Sequence, residues 1–293
     1  ADQQKLATKT ITYPKVASGE NGSGQAVSVK FYYDDAGRLR WSKDGEGNVN
    51  YYAYHPDTGG LAYVMRDVDT TGSLPSDIQN GSTGKWISWG SAEPPSTDFE
   101  NDDPDALELV TKSEYDDLGR LVKVEDAGSM VTYMVYLDNE TRVYAGWDGS
   151  APDLPIVVTK TNDAGDVTEM YSLDPAGVTI GASGGAPTGG DTHVSQDDYI
   201  TWTKYAYDDT SGQLEQVDRY HEIPSSGDGS IGTNFYRTKY VYDAMGRRTH
   251  VSRLVKVDTN RFEQVTQMAY DVLGRVTATY HDYLENSSGD SFD

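Results

Sequence analysis

The sequence predicts an all-β chain: antiparallel β-hairpin repeats forming a curved or spiralling sheet with long loop insertions. Three observations carry this. The hexapeptide YDxxGR occurs four times in 293 residues, where chance allows at most about 0.03 occurrences. Apolar and polar residues alternate with period two around the copies, and no segment shows a convincing helical period. Hydrophobic residues make up 36% of the chain, below the ~45–50% of ordinary globular domains. A single thick aliphatic core is therefore not expected. The 22 tyrosines set the chain apart from disordered acidic sequences, which are poor in aromatics, and supply much of the surface to be buried.

The four copies are Tyr33, Asp34, Gly37 and Arg38 in YDDAGR; Tyr115, Asp116, Gly119 and Arg120 in YDDLGR; Tyr242, Asp243, Gly246 and Arg247 in YDAMGR; and Tyr270, Asp271, Gly274 and Arg275 in YDVLGR. Weaker copies start at Tyr54, Tyr136, Thr161, Tyr171 and Tyr207. Each unit reads as a hairpin, in which the aspartate accepts hydrogen bonds from backbone NH groups ahead of it. The glycine takes the positive φ of a type I turn with a glycine bulge. Val27, Val29, Phe31 and Tyr33 alternate with Ser28, Lys30 and Tyr32 before the first turn, and Leu39 and Trp41 alternate with Arg38, Arg40 and Ser42 after it. Tyr33 and Arg38 flank the turn, and a guanidinium-on-ring contact between them would explain why Tyr and Arg recur together. A second kind of turn, KDGEGN from Lys43 and EDAGSM from Glu125, closes the opposite end of the ladder.

The chain divides into an N-terminal segment with the first repeats (1–66), a loop-rich insertion (67–111), central repeats (112–173), a Gly-rich loop (174–200), and C-terminal repeats with a polar tail (201–293). The formal charge of −23 repels nucleic-acid phosphates and anionic membranes. No nucleic acid and no membrane insertion are expected. The absence of cysteine removes disulfides, thiolate catalysis and Cys-ligated metal sites. No apolar run approaches ~18 residues, and the opening ADQQKLATKTITYPKV lacks the regions of a signal peptide. The expectation is a soluble chain, mature, processed or a fragment.

The YDxxGR elements followed by Leu or Val, the Gly-rich turn and the stretch NVNYYAY at 48–54 resemble the YD-repeat (RHS-repeat) family of bacterial Rhs proteins, Tc-toxin C-components and teneurins. The resemblance covers roughly 27–61, 114–143 and 201–280, and more loosely 159–178. It implies a long sheet of hairpins that spirals into a hollow shell, enclosing a toxin or the chain's own C-terminal segment.

Catalytic constellations are missing. His55, His193, His221, His250 and His281 are scattered, with no HExxH pair, and there is no GxSxG elbow, phosphate loop or GxGxxG. No enzyme activity is expected and no cofactor, save that Ca²⁺ could gather oxygen ligands in the acidic insertion. Its candidate ligands are Asp102, Asp103 and Asp105, beside Asp67, Asp69 and Asp98. Trp86 and Trp89 are the candidate ligand-binding pair, for stacking on glycans. The stretch YSLDPAGV at 171–178 faintly resembles the DPxG element of an Rhs aspartyl autoprotease, but it lies mid-chain with further repeats after it and reads as a degenerate turn. Asn21, Asn80, Asn139 and Asn286 begin NxS/T sequons, which carry glycans only in a secreted eukaryotic setting.

The expected function is a non-enzymatic structural protein, secreted or at the cell surface, that builds a shell, sheath or filament by hairpin stacking and edge-to-edge pairing. Its partners would be other copies of itself or the rest of a longer YD-repeat chain. The alternatives are an adhesin module binding carbohydrate or another surface through its loop aromatics, and a fragment of a toxin-encapsulating shell.

Overall fold

The computed structural model describes residues 7–20, 24–68, 70, 99, 105–107, 109–192, 194–257 and 260–286. The chain falls into two compact units, Ala1–Thr132 and Tyr133–Asp293. Both are built from antiparallel strands. Among the described residues the helical elements are three-residue 3-10 turns, such as Ser18–Glu20, Pro175–Gly177 and Gln196–Asp198. No helix there is long and apolar enough to cross a membrane.

In the first unit the strands are β1 (Thr8–Thr12), β2 (Ser28–Tyr33), β3 (Leu39–Lys43), β4 (Val49–Tyr54), β5 (Leu61–Arg66), β6 (Leu109–Tyr115) and β7 (Leu121–Glu125). Each pairs antiparallel with the next in sequence order. Strand β2 is filled on both sides, by β1 and by β3. Because side chains alternate across a strand, Val49, Tyr51 and Ala53 of β4 share one face. There they are buried with Trp41, Ala62, Tyr63, Met65, Val68 and Phe99. Val68 and Phe99 come from the segment expected to be loop, and β6 begins inside that segment, at Leu109. The insertion thus contributes to the core, with the Phe99 ring set edge-on to Tyr32 at 6.4 Å between centroids.

After β8 (Val131–Leu137), the second unit contains β9 (Glu140–Ala145), β10 (Ile156–Thr161), β11 (Val167–Leu173), β14 (Tyr199–Tyr207), β15 (Leu214–Tyr220), β16 (Phe235–Tyr242), β17 (Arg248–Val257), β18 (Asn260–Tyr270) and β19 (Val276–Asn286). From β9 to β19 these also pair in chain order. The Gly-rich stretch expected to be loop folds into a small hairpin of its own, β12 (Ala182–Ser183) on β13 (Ala186–Pro187).

The turns explain the sequence pattern locally. In each hexapeptide the aspartate NH bonds the carbonyl of the sixth residue and its own carbonyl accepts from the glycine NH, as in Asp34–Arg38 and Gly37–Asp34. The glycine sits at positive φ, +77° at Gly37 and +81° at Gly274, and the strand register slips by one residue at the preceding tyrosine. The EDAGSM turn repeats these bonds at Asp126 but places Ser129 at φ +64°. A side chain in that left-handed region costs roughly 1–2 kcal/mol, while a glycine there forfeits about 0.4–1 kcal/mol through its freer unfolded chain. Ser129→Gly is therefore expected to stabilise the protein by about 0.5–1 kcal/mol, read as a rise in the urea midpoint.

Candidate functional site

The recurring chemistry lies where one repeat meets the next. In each full hexapeptide the aspartate Oδ1 accepts two backbone NH groups, from the fourth and sixth residues of the hexapeptide. For Asp34 these are Ala36 and Arg38, at 3.0 and 2.9 Å. The other oxygen, Oδ2, accepts Arg38 Nε at 2.9 Å, and the same pairing holds for Asp116 with Arg120, Asp243 with Arg247 and Asp271 with Arg275, each at 2.7 Å. One carboxylate thus holds the turn and aims the arginine.

The tyrosine is the part that sequence reasoning misplaced. The guanidinium of Arg38 lies over the ring of Tyr54, in the next repeat, at 4.7 Å, and Arg247 lies over Tyr270 at 4.8 Å. The expected pairing of Tyr33 with Arg38 inside one hairpin is replaced by pairing between successive hairpins. The hydroxyl of that later tyrosine then donates to the carbonyl just after the earlier turn. Tyr54 reaches Leu39, Tyr115 reaches Leu61, Tyr207 reaches Val167, Tyr242 reaches Leu214 and Tyr270 reaches Arg248, all within 2.7–3.0 Å.

Where the arginine is lost the seat survives. Gly60 stands in its place beneath Tyr115, whose ring comes so close that a Cβ there would meet it at 2.5 Å. The hydrogen bond to a backbone carbonyl needs no particular side chain at the seat, which is why degenerate repeats keep the tyrosine clasp. Removing the hydroxyl alone isolates its worth. Tyr54→Phe leaves the ring on Arg38 and is expected to cost about 0.5–1.5 kcal/mol, measured by chemical denaturation against the parent.

The turn aspartates are held below the ordinary carboxylate range. At Asp34 and Asp116 burial pushes the pKa up, but the arginine NH and guanidinium outweigh it. At Asp243 the Arg247 guanidinium leads, and at Asp271 the Arg275 backbone NH. A group whose folded pKa is depressed stabilises above its unfolded pKa and ceases to do so as pH falls through the folded value. Stability should therefore be flat above about pH 5 and decline from about pH 4 downward. Urea midpoints across that range check it, with Asp243→Asn and Asp271→Asn expected to flatten the decline.

Two further groups escaped the sequence reading. The Asp191 side chain is fully buried and accepts from Arg142 at 2.6 Å, Tyr144 Oη at 2.7 Å and Gly181 NH at 2.9 Å. Arg142 also pairs with Glu140. Burial opposes the arginine's charge, but the two carboxylates hold its pKa above the usual value, while burial and then Asp191 push Tyr144 up. This cluster, with Trp147 Nε1 donating to Gly185, pins the Gly-rich hairpin to β9. The second group is a row of rings along β11, β14, β15 and β16. Tyr171 stacks on Tyr199 at 4.5 Å, Trp202 on Tyr220 at 4.0 Å, and Tyr220 meets Phe235 at 5.0 Å. Burial, with the Glu140 carboxylate next, pushes Tyr171 up to about 12. Tyr171, Trp202 and Phe235 are buried, so these rings are spent on packing. Tyr199 and Trp202 stand three residues apart in YITWTKYAY and join one row because the register slips between Tyr199 and Thr201, so strict alternation gives no signal for it.

Of the other candidates, Trp86, Trp89, Asp102 and Asp103 lie outside the described residues, and Asp105 is exposed in a turn. Among the described residues no three acidic or histidine side chains are grouped to hold a metal ion. Asp174 caps the turn Pro175–Gly177 by accepting the Ala176 NH. His55 takes the aspartate's position in its turn, with Nδ1 accepting the NH groups of Asp57 and Thr58. A cleft of about 320 Å³ is lined by Asp208, Ser211, Gln213, Glu215 and Tyr240 to Tyr242, with no histidine.

No protein-family model matches the chain, and no curated protein sequence does. Solved structures do. The crystal structure of TcdB2-TccC3-Cdc42 aligns with a TM-score of 0.50 at 13% identity, over 91% of this chain and 11% of that one. The chain shares its fold with part of TcdB2-TccC3. TcdB2-TccC3 without its hypervariable C-terminal region gives 0.49 at 12% identity, over 94% of this chain and 12% of that one. The Photorhabdus luminescens Tc holotoxin pore gives 0.47 at 11%, over 93% and 13%. The chain thus spans about a tenth of the length of the chains it resembles.

Proposed function

We propose that the protein is a non-enzymatic structural module of the YD-repeat class, a wall segment that builds an extracellular shell, sheath or filament by continuing its hairpin ladder. The observation that carries this is the repeated seat. Five times a tyrosine from a later strand is clasped by the turn of an earlier one, so the conspicuous residues of the repeat are spent on joining hairpins. The fold shared with TcdB2-TccC3 and the hexapeptide itself support the same reading.

The charge of −23 repels copies of the chain, and salt screens such repulsion within ~10 Å at 0.1 M. Negative-stain electron microscopy and light scattering across salt and Ca²⁺ titrations test the proposal. Rings or fibres that appear as salt or Ca²⁺ is added support a wall-building role. Single particles throughout, with flat scattering, overturn it.

A further inference from the structure

We infer that the cleft beside the Asp208 turn is a binding site for a guanidinium group, supplied from outside the chain by an arginine side chain or by a free alkylguanidine. The site stands whether or not the chain builds a wall, so it goes beyond that reading.

In four turns of this chain an aspartate carboxylate holds an arginine by Nε. In two of them a tyrosine from the next repeat lies against the guanidinium, Tyr54 on Arg38 at 4.7 Å and Tyr270 on Arg247 at 4.8 Å. The turn at Asp208 has the same frame. Its NH bonds the Gln213 carbonyl at 2.9 Å and its carbonyl accepts the Gly212 NH at 2.8 Å. Its Oδ1 accepts the Thr210 and Ser211 NH groups, and Tyr242 clasps the Leu214 carbonyl just after the turn. These bonds put Gln213 in the arginine's place, but the glutamine does not do the arginine's work. Its amide nitrogen lies against Gly246 of the following turn, 3.0 Å from where a Cβ on that glycine would stand. Among the described residues no basic side chain pairs with Asp208 or lies over the Tyr242 ring.

What stands at that place is the cleft of about 320 Å³, at the lower end of the ~300–1,000 Å³ of small-ligand sites. Its walls are those of a filled seat with one more acid: Asp208 and Glu215 supply carboxylates, Tyr242 a ring and Ser211 a hydroxyl. The Ser211 NH, and then its hydroxyl, hold the Asp208 carboxyl below the ordinary carboxylate range, so it is charged at neutral pH. Arg248 lies over the other lining ring, Tyr240, at 5.5 Å. The chain's own cation thus occupies that ring and leaves Tyr242 for a guest. A planar, weakly hydrated guanidinium bonds a carboxylate with its edge while its face lies on a ring, which the compact, strongly hydrated ammonium of a lysine does less well.

The test uses the whole chain, with propylguanidinium as the probe and saturation-transfer NMR as the readout. The expected result is saturable binding with a Kd of about 1 mM, about fivefold tighter than that of butylammonium. Gln213→Arg returns the missing guanidinium to the chain, so it should abolish probe binding and raise the urea midpoint. Asp208→Asn should weaken binding about tenfold and keep the turn, since Asn162 accepts two backbone NH groups through its own Oδ1 in a turn of this chain. Circular dichroism of both variants confirms their folding. Acetyl-Gly-Arg-Gly-amide separates the two sources. Binding tighter than that of propylguanidinium assigns the site to an arginine of a polypeptide, and equal or weaker binding to a free alkylguanidine. Binding that survives Gln213→Arg, or that does not tell guanidinium from ammonium, reflects only the net charge of −23 and overturns the inference. So does an absence of binding at about 20 mM probe.

Discussion

Trp41→Ala is expected to remove about 3–5 kcal/mol of stability. The indole is 1% exposed, tilted against Tyr51 at 4.7 Å between centroids, and surrounded by Val49, Ala53, Met65 and Phe99 in the buried cluster of the first unit. The loss combines the transfer term of a large aromatic with the cavity it leaves, since a sheet stapled on both sides cannot close over the space. Against a total of about 5–15 kcal/mol for an ordinary domain, that is enough to unfold a large fraction of the first unit. Trp41→Phe keeps most of the contact and should lose far less. A shift in the urea midpoint worth under ~1 kcal/mol for the alanine variant would mean that neighbouring rings refill the site.

Arg142→Ala should cost a similar amount, about 3–5 kcal/mol, for a different reason. It strands the Asp191 carboxylate, whose side chain has no exposed surface, with only the Tyr144 hydroxyl and the Gly181 NH to answer its charge. Removing one member of a buried ion pair is far more damaging than replacing both by apolar groups. The double variant Arg142→Met with Asp191→Leu should accordingly recover much of the loss. The readouts are the melting temperature and limited proteolysis at 181–190, where the Gly-rich hairpin would come free. A double variant no better than the single one would show that the cluster's value lies in its hydrogen-bond geometry instead.

What could be read from the sequence follows from distance along the chain. The turn at Asp34 is legible because its partners lie within four residues, so residue type and spacing state the bond almost directly. The tyrosine was conspicuous in the pattern yet assigned to the wrong partner. Tyr54 meets a carbonyl 15 residues earlier and Tyr115 one 54 residues earlier, and those contacts exist only once the register between hairpins is set. Asp191 carried no local mark at all, because Tyr144 and Arg142 stand 47 and 49 residues upstream. Val68 and Phe99 were submerged in a polar, Pro- and Gly-rich context that reads as loop, although both are buried in the core. The alternation of the strands, by contrast, was legible wherever one face was buried, as in β4.

The tyrosine seats also have a direction in time. In each of the five, the hydroxyl belongs to the later segment and the carbonyl to the earlier one. A chain emerging from the ribosome at ~5–20 residues per second therefore presents each completed turn before the tyrosine that will close on it. That tyrosine follows roughly 1–10 s later. Each hairpin docks on one already formed, and no seat waits for the far end of the chain. The edge that each new strand leaves open is thus covered by the hairpin made next, which keeps a long β-ladder from presenting its whole length to neighbouring nascent chains.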